Sequence, residues 1–327
     1  MASQGDRLMP AAPRIGCIGD LLVEFVCSSK NGHHRKVDTY TGPFPSGAAG
    51  IFIDQAARSG GACVFVGAVG DDAFGQVVLD RLLRDGVDTR LVGIVKGVPT
   101  GSAFVSYNGD GSRDFVYNIV LSAAAMFGGG DATIAGLSDF GVDVMHVSGS
   151  ALSNPDMCEK VLRVCKALHG SGVKISFDPN VRKELMGNPS YFGAVRAMME
   201  ISAIFLPSED DAAALFPGEA LAGFAPKLFA KGMDYVILKK GEKGAEGMSR
   251  AGEHVSLNAH KVAVTDPTGA GDCFCATFVT LIASGRFGFR DAMARANAAG
   301  ALAVTRIGPM EGNSHLAEVE AFLAKNA

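Results

Sequence analysis

Short apolar, β-branched runs alternate along this chain with longer stretches whose apolar residues recur at helical spacing. Ile15–Ile18, Cys63–Val66, Val144–Val147, Lys174–Phe177, Ala203–Leu206 and Tyr235–Leu238 read as strands. Ile51–Arg58, Ala73–Arg84, Asp156–His169, Asp210–Leu215, Gly271–Ala283 and Arg290–Val304 read as helices. Repeated alternation of this kind predicts an α/β fold: a doubly wound, mostly parallel sheet with helices on both faces. Ligands of such sheets bind beyond the carboxyl ends of the strands, so those ends are where chemistry is sought. The 42 glycines suit the many tight strand-to-helix turns that this fold requires.

Two stretches break the rhythm. Residues 33–45 and 97–120 read as extended antiparallel pieces, and Ser102–Tyr107 and Asp114–Ile119 flank the turn sequence Asn108-Gly109-Asp110-Gly111. They predict a small β-sheet lid over the main sheet; a surface hairpin without function is the alternative. Residues 1–13 read as a flexible tail without the apolar stretch of a secretory signal.

Composition removes several classes of function. Thirty basic and 34 acidic residues give a net charge of −4, with no basic block to track a phosphate backbone and no polybasic amphipathic stretch. Neither nucleic acid nor a membrane is expected as a partner, and no run approaches the roughly 20 apolar residues of a membrane span. The seven cysteines form no CxxC pair or metal-ligand cluster, which fits a reducing, cytoplasmic setting. Walker-type GxxxxGK[ST], HExxH and GxSxG sequences are absent, as are the protein-kinase motifs.

The segment Asp266-Pro267-Thr268-Gly269-Ala270-Gly271-Asp272-Cys273-Phe274 carries the most chemistry. It follows the β-like stretch His260–Val264 and runs into a helical pattern. Gly269 and Gly271 allow backbone angles that expose consecutive N–H groups, and the next helix aims its positive end at the same place. The turn thus predicts an oxyanion hole made by Gly269, Ala270 and Gly271. An acidic side chain is no ligand for an anion, so Asp272 at its mouth needs a reason: it would accept the proton of an attacking hydroxyl. Taken alone, capping of the helix by Asp272 explains it equally well.

DPTGAGDCF closely resembles the second signature of the ribokinase-like (PfkB) carbohydrate kinases, and further segments match that family in order. These are GDLLVEF at 19–25, GAVGDDAFG at 67–75, FDPNVR at 177–182, KKGEKGAEG at 239–247 and ARANAAGALAVTRIG at 294–308. The resemblance implies one ribokinase-like kinase domain over 14–327, with ATP and Mg2+ used and a monovalent cation allowed as activator. It also implies Asp272 as catalytic base; Asp20, Gly47, Arg113 and Asn180 on the sugar; and Lys240, Gly241, Gly244 and Asn297 on the nucleotide. Arg182 reads as a phosphate contact or, slightly ahead, a structural ion pair.

Two departures stand out. Ile51 falls where the family's first signature carries an asparagine, and Ser208 and Asp211 replace an Asn-x-x-Glu pattern that organises magnesium through waters. Asp211 keeps that charge on a shorter arm; an acidic first helical turn is the plain alternative. The substrate expected first is a ketohexose of the fructose or tagatose kind. Next come 2-keto-3-deoxygluconate, with Arg113 facing its carboxylate, and then a nucleoside. A sensing protein without catalysis on the same fold is the non-enzyme alternative. Pairing of lids between subunits implies a homodimer.

Overall fold

The computed structural model describes residues 11–110, 112–181, 185 and 188–326. The tail expected at 1–13 lies mostly outside the described residues, and Arg182 lies wholly outside them.

In chain order the first half runs β1 (Arg14–Ile18), β2 (Leu22–Cys27), β3 (Tyr40–Ser46), α1 (Ala48–Arg58), β4 (Ala62–Gly70), α2 (Ala73–Arg84), β5 (Asp88–Val95), β6 (Gly101–Tyr107), β7 (Arg113–Asn118), α3 (Asp131–Phe140), β8 (Val144–Ser148) and α4 (Pro155–Gly170). The second half runs β9 (Lys174–Asp178), α5 (Pro189–Ile201), β10 (Ser202–Phe205), α6 (Glu209–Leu215), α7 (Leu221–Phe229), β11 (Tyr235–Lys239), β12 (Ala245–Ser249), β13 (His254–Leu257), α8 (Ala270–Ala283), α9 (Phe289–Ala303) and α10 (Leu316–Lys325).

The main sheet has nine strands in the order β13-β12-β11-β10-β9-β8-β1-β4-β5. All pairings from β11 through to β5 are parallel, and only β12 and β13 at one edge run antiparallel. The central strands are apolar on both faces because helices cover both. Ile18 belongs to the same core cluster as Met157, Val161 and Val164 of α4, while Ile15 and Cys17 belong to the cluster that holds Phe52 and Ile53 of α1 and Phe278 of α8. The doubly wound sheet expected from the alternation is present.

A second sheet, β3-β2-β6-β7, stands over the carboxyl ends. The hairpin of β6 and β7 pairs antiparallel in the register Tyr107↔Arg113, as its turn sequence implies. The stretch Leu22–Cys27, which carries part of the GDLLVEF match, belongs to this lid, pairing with β3 and, in parallel, with β6. One sequence expectation needs correction. Residues 260–264 form no strand; the extended chain there follows β13 without ladder bonds. The rhythm also missed β5, whose exposed edge position leaves it without a clean apolar pattern, along with α3, α5, α7, α10 and the β12–β13 edge.

Lid and body are tied at their base. Asp72 caps α2 through the Gly75 amide at 2.8 Å and accepts from the Thr100 amide at 2.8 Å and the Thr100 hydroxyl at 2.7 Å, just before β6. Among the described residues no helix is long and apolar enough to cross a membrane.

Candidate active site

Gly269, which has no side chain to cap with, occupies the N-cap of α8 at φ +82°. Its first-turn amides are therefore left to a ligand. A Cβ at residue 269 would lie 2.6 Å from the Pro309 carbonyl and 3.2 Å from Ile51 Cγ2, so the turn admits only glycine. Asp272 stands three residues on, in the first turn, half-buried. The N-cap position itself belongs to Gly269, not to Asp272. Asp266, fully buried, braces the turn from behind: it accepts from the Tyr107 hydroxyl, from the Thr268 amide at 2.9 Å and from the Gly308 amide at 2.9 Å.

A cavity of about 540 Å³ opens between this turn, the strand ends and the lid. It gathers Asp20, Gly47, Arg113, Asn180 and Asp272, together with Gly269 and Gly271 of the turn. These residues are scattered over more than 250 positions of sequence. Asp20 is buried after β1 and accepts from the Ser150 hydroxyl at 3.2 Å. Gly47 holds φ +103°, where a Cβ would strike the Asp20 carbonyl oxygen at 2.4 Å. Asn180 sits at φ +36° and donates to the Ser148 hydroxyl at 3.1 Å. Arg113 reaches down from β7, donating to Thr268 Oγ1 at 3.2 Å, with its guanidinium 5.4 Å from the Phe115 ring centre.

A larger groove of about 960 Å³ lies on the other side of the turn, lined by Gly241, Gly244, Asn258, Ala270, Phe274 and Asn297. Ala270 therefore faces this groove, whereas Gly269 faces the smaller cavity. Gly244, at φ +99°, would place a Cβ 2.0 Å from the Leu257 carbonyl. Asn297 donates to the Asn258 carbonyl at 2.8 Å, holding the groove's rim. Lys240 requires correction: its ammonium pairs with Glu246 at 3.2 Å and does not line the groove. Lys239 lines both spaces instead, as do Gly241, Pro267 and Gly271.

Asp211 is held by protein donors on both carboxylate oxygens. One carboxylate oxygen accepts from the Val181 amide at 2.7 Å, and the other from the Ser208 amide at 2.8 Å and hydroxyl at 2.6 Å. It forms a capping box at the start of α6, which is the plain helical reading of that acidic turn. Asp211 still borders the small cavity, but both its oxygens are occupied by protein donors. Ile51, in place of the family asparagine, packs with Cys273, Ala303 and Met310 and gives the cavity an apolar floor.

Two residues of the site escaped the sequence reading. Glu24 of β2 is buried and faces the small cavity, with Oε1 unpartnered among the described residues and Oε2 accepting from Ser46 at 3.3 Å. Burial, aided by the nearby Asp266 carboxylate, pushes its carboxyl up to about 7. Lys239 ends β11, buried against Asp178, which accepts from its ammonium. Burial works against the charge on Lys239, and the Asp178 carboxylate more than offsets it, so the ammonium is held charged. A buried charged or acidic residue inside an apolar strand was the available signal in both cases.

Comparison with known proteins decides the family: pfkB family carbohydrate kinase matches residues 13–316. The chain belongs to the pfkB carbohydrate kinases. Among curated pfkB relatives, the 2-dehydro-3-deoxygluconokinase of Thermoproteus tenax is 30% identical, over 98% of this chain and 97% of its own. Fructokinase-2 of Zea mays is 28% identical over 94% and 93% respectively. A solved E. coli protein provisionally assigned as Ribokinase II, in complex with ATP and Mg2+, superposes with a TM-score of 0.89 at 36% identity. That match covers 96% of this chain and 99% of the E. coli chain. The protein is thus a kinase of the carbohydrate class, and the ribokinase-like fold is shared along almost its whole length.

Proposed function

We propose that this pfkB kinase transfers the γ-phosphoryl group of ATP to a hydroxyl of a ketohexose of the fructose or tagatose kind. The observation that carries the reading is the placement of Asp272. It sits on the first turn of α8 and lines the same polar cavity as Asp20, Glu24 and Asn180, next to a groove of nucleotide size.

In this reading the groove beside Gly241, Gly244 and Asn297 takes the nucleotide, and its triphosphate runs over Gly271 toward the small cavity. The sugar lies under the lid with Asp20, Glu24 and Asn180 on its hydroxyls, where Gly47 lets it approach the backbone. Asp272 takes the proton of the attacking hydroxyl as its oxygen bonds to the γ-phosphorus. The bond to the bridging oxygen breaks, and its electron pair leaves with ADP. Amides of the Gly269–Gly271 turn stabilise charge on the phosphoryl oxygens. Lid closure excludes water, a competing acceptor.

The donor set fits magnesium carried by the triphosphate. Among the described residues no three His, Cys, Asp or Glu side chains converge as a metal site, and the Asp211 oxygens already accept from protein donors. When bound, the ion supplies positive charge against the phosphate oxygens and keeps much of its water. Asp211 would reach it only through such waters.

A second reading, 2-keto-3-deoxygluconate, is favoured by Arg113 on the cavity wall and by the Thermoproteus tenax relative. Coupled ADP-release assays over ketohexoses, 2-keto-3-deoxygluconate and nucleosides, with and without KCl for the monovalent cation, separate the readings. Ketohexose turnover is expected to survive Arg113→Gln nearly unchanged. Turnover of the keto acid alone, lost roughly 10–100-fold in that variant, would establish the second reading instead. Ligand binding without ADP release from any acceptor would favour a sensor.

Glu24 gives the sugar site a pH response. Sugar hydroxyls donate to a carboxylate, so binding favours its ionised form, and ionisation in the free protein occurs at about 7. KM for the sugar is therefore expected to fall as pH rises from about 6 to about 8. Glu24→Gln, fixed in the neutral form, should raise KM and flatten this dependence. A parent KM that is level across the range would remove Glu24 from sugar binding.

The lid leaves Val116, Val120 and Leu121 exposed, which supports a homodimer formed through it. Light scattering should give twice the 33.8 kDa chain mass. Seven free cysteines, six of them buried, are in keeping with a cytoplasmic setting.

A further inference from the structure

Lys239 occupies a position that neither the capping of helices nor the packing of the sheet requires. It is the last residue of β11, fixed by its amide, which donates to the Pro207 carbonyl at 2.8 Å, and by a parallel bridge to Ser208. Its side chain is 13% exposed, and that exposure opens on both the nucleotide groove and the Asp272 cavity. Among the described residues it is the one charged side chain that lines both spaces. A Cβ on Gly271 would lie 3.4 Å from its Nζ, in contact with the ammonium. The glycine therefore leaves that ammonium uncovered at the junction, directly behind the turn that presents its amides.

Two partners hold the ammonium from below. Asp178 accepts from it, and Cys275 Sγ lies 3.4 Å away. Burial pushes the Cys275 thiol well up, so it meets the ammonium as a neutral group. An ammonium has three N–H donors, and among the described residues these two contacts use two of them.

We infer that Lys239 is a further catalytic residue of this kinase: its ammonium, steadied by Asp178, contacts the γ-phosphoryl group as it crosses from the nucleotide groove to the Asp272 cavity. The inference rests on the assignment of the groove to the nucleotide given above. A charge held in a largely water-excluded seam acts on the transferring group without reorganising, as an oxyanion-hole donor does. Lys239 keeps its own protons throughout; the hydroxyl proton still goes to Asp272. A plain structural ion pair would predict something else, because replacing both partners of such a pair by neutral groups is often neutral for stability and would leave the nucleotide's γ-phosphate unaffected.

The single variant Lys239→Met strands Asp178 as a buried unpaired charge, so the decisive protein is the double variant Lys239→Met with Asp178→Asn. Its kcat is expected to fall roughly 10²–10³-fold with the sugar KM within about threefold of the parent. In calorimetric titrations its affinity for AMP-PNP, which carries a γ-phosphate mimic, should drop about tenfold while ADP affinity stays within about twofold. Lys239→Arg should recover part of the lost rate. Turnover of the double variant within threefold of the parent, or equal losses for AMP-PNP and ADP, would overturn the role of Lys239. A parent protein silent toward every acceptor would sink the sugar assignment instead, and the two nucleotide titrations would still decide Lys239.

Discussion

Asp272→Ala is expected to lower kcat by roughly 10²–10⁴-fold, the range over which general-base catalysis acts, while the protein stays folded. The separation of the two effects follows from position. Gly269, not Asp272, is the N-cap of α8. Removing Asp272 leaves that N-cap in place and forfeits the interaction of its carboxylate with the helix dipole, about 0.3–1 kcal/mol. The rest of the turn is held by Asp266 through the Thr268 and Gly308 amides, bonds that do not involve Asp272. Asp272→Asn should lose as much rate, since an amide cannot take the proton. Steady-state kinetics beside thermal unfolding tests this. Turnover of Asp272→Ala within tenfold of the parent would take the base away from this residue, and a sharply lowered Tm would mean that its role is structural.

Arg81→Leu is expected to destabilise the protein by about 3–5 kcal/mol, as when one partner of a buried ion pair is removed. Arg81 is 4% exposed on α2. Its guanidinium donates to both oxygens of Asp54, at 2.9 and 3.0 Å, to Asp85 at 2.7 Å, to Glu311 at 3.2 Å and to the Met310 carbonyl at 2.6 Å. Asp54, at zero exposure, would keep Arg58 at 3.5 Å and the Asn313 amide at 2.6 Å. The loss should depend on pH, with a sign fixed by Asp54. Burial, opposed by Arg81, raises its carboxyl from 3.8 to about 6. A carboxyl raised on folding gives its full stability below 3.8 and loses it as pH rises through about 6. Without Arg81 the carboxyl rises further and remains neutral over a wider range, so the deficit should be smaller near pH 5 than near pH 8. Denaturant unfolding of parent and variant at both pH values measures it. A deficit that is equal at the two pH values would mean that Arg81 does not govern the ionisation of Asp54.

The same network reaches the site. Arg81 holds the segment around Met310, whose neighbours Pro309 and Gly308 back Gly269 and Asp266 respectively. Arg81→Leu should accordingly lose activity along with stability, whereas Asp272→Ala loses activity alone.

The residues that could be read directly are those whose chemistry is local. The GAG turn had to be glycine because φ +82° at residue 269 and a carbonyl 2.6 Å from any Cβ exclude other side chains, and a helix necessarily follows it. The lid hairpin was legible because its turn sequence specifies its own register. Asp211 was harder: an acidic residue three positions after a serine reads both as a capping box and as a metal neighbour, and only its bonds to the Ser208 and Val181 amides show that the capping box forms.

By itself, then, the sequence determined the alternating strands and helices, the parallel sheet that they compel, and an anion-binding turn with a carboxylate beside it, because each follows from backbone sterics and residue periodicity over a few neighbours. Tertiary structure alone decided that Leu22–Cys27 joins the lid, that Glu24 faces the smaller cavity, and that Lys239 rather than Lys240 stands where cavity and groove meet. Adjacent residues at the end of a strand point to opposite faces, and which face meets the cleft is fixed by pairing with strands distant in sequence. No local pattern carries that information.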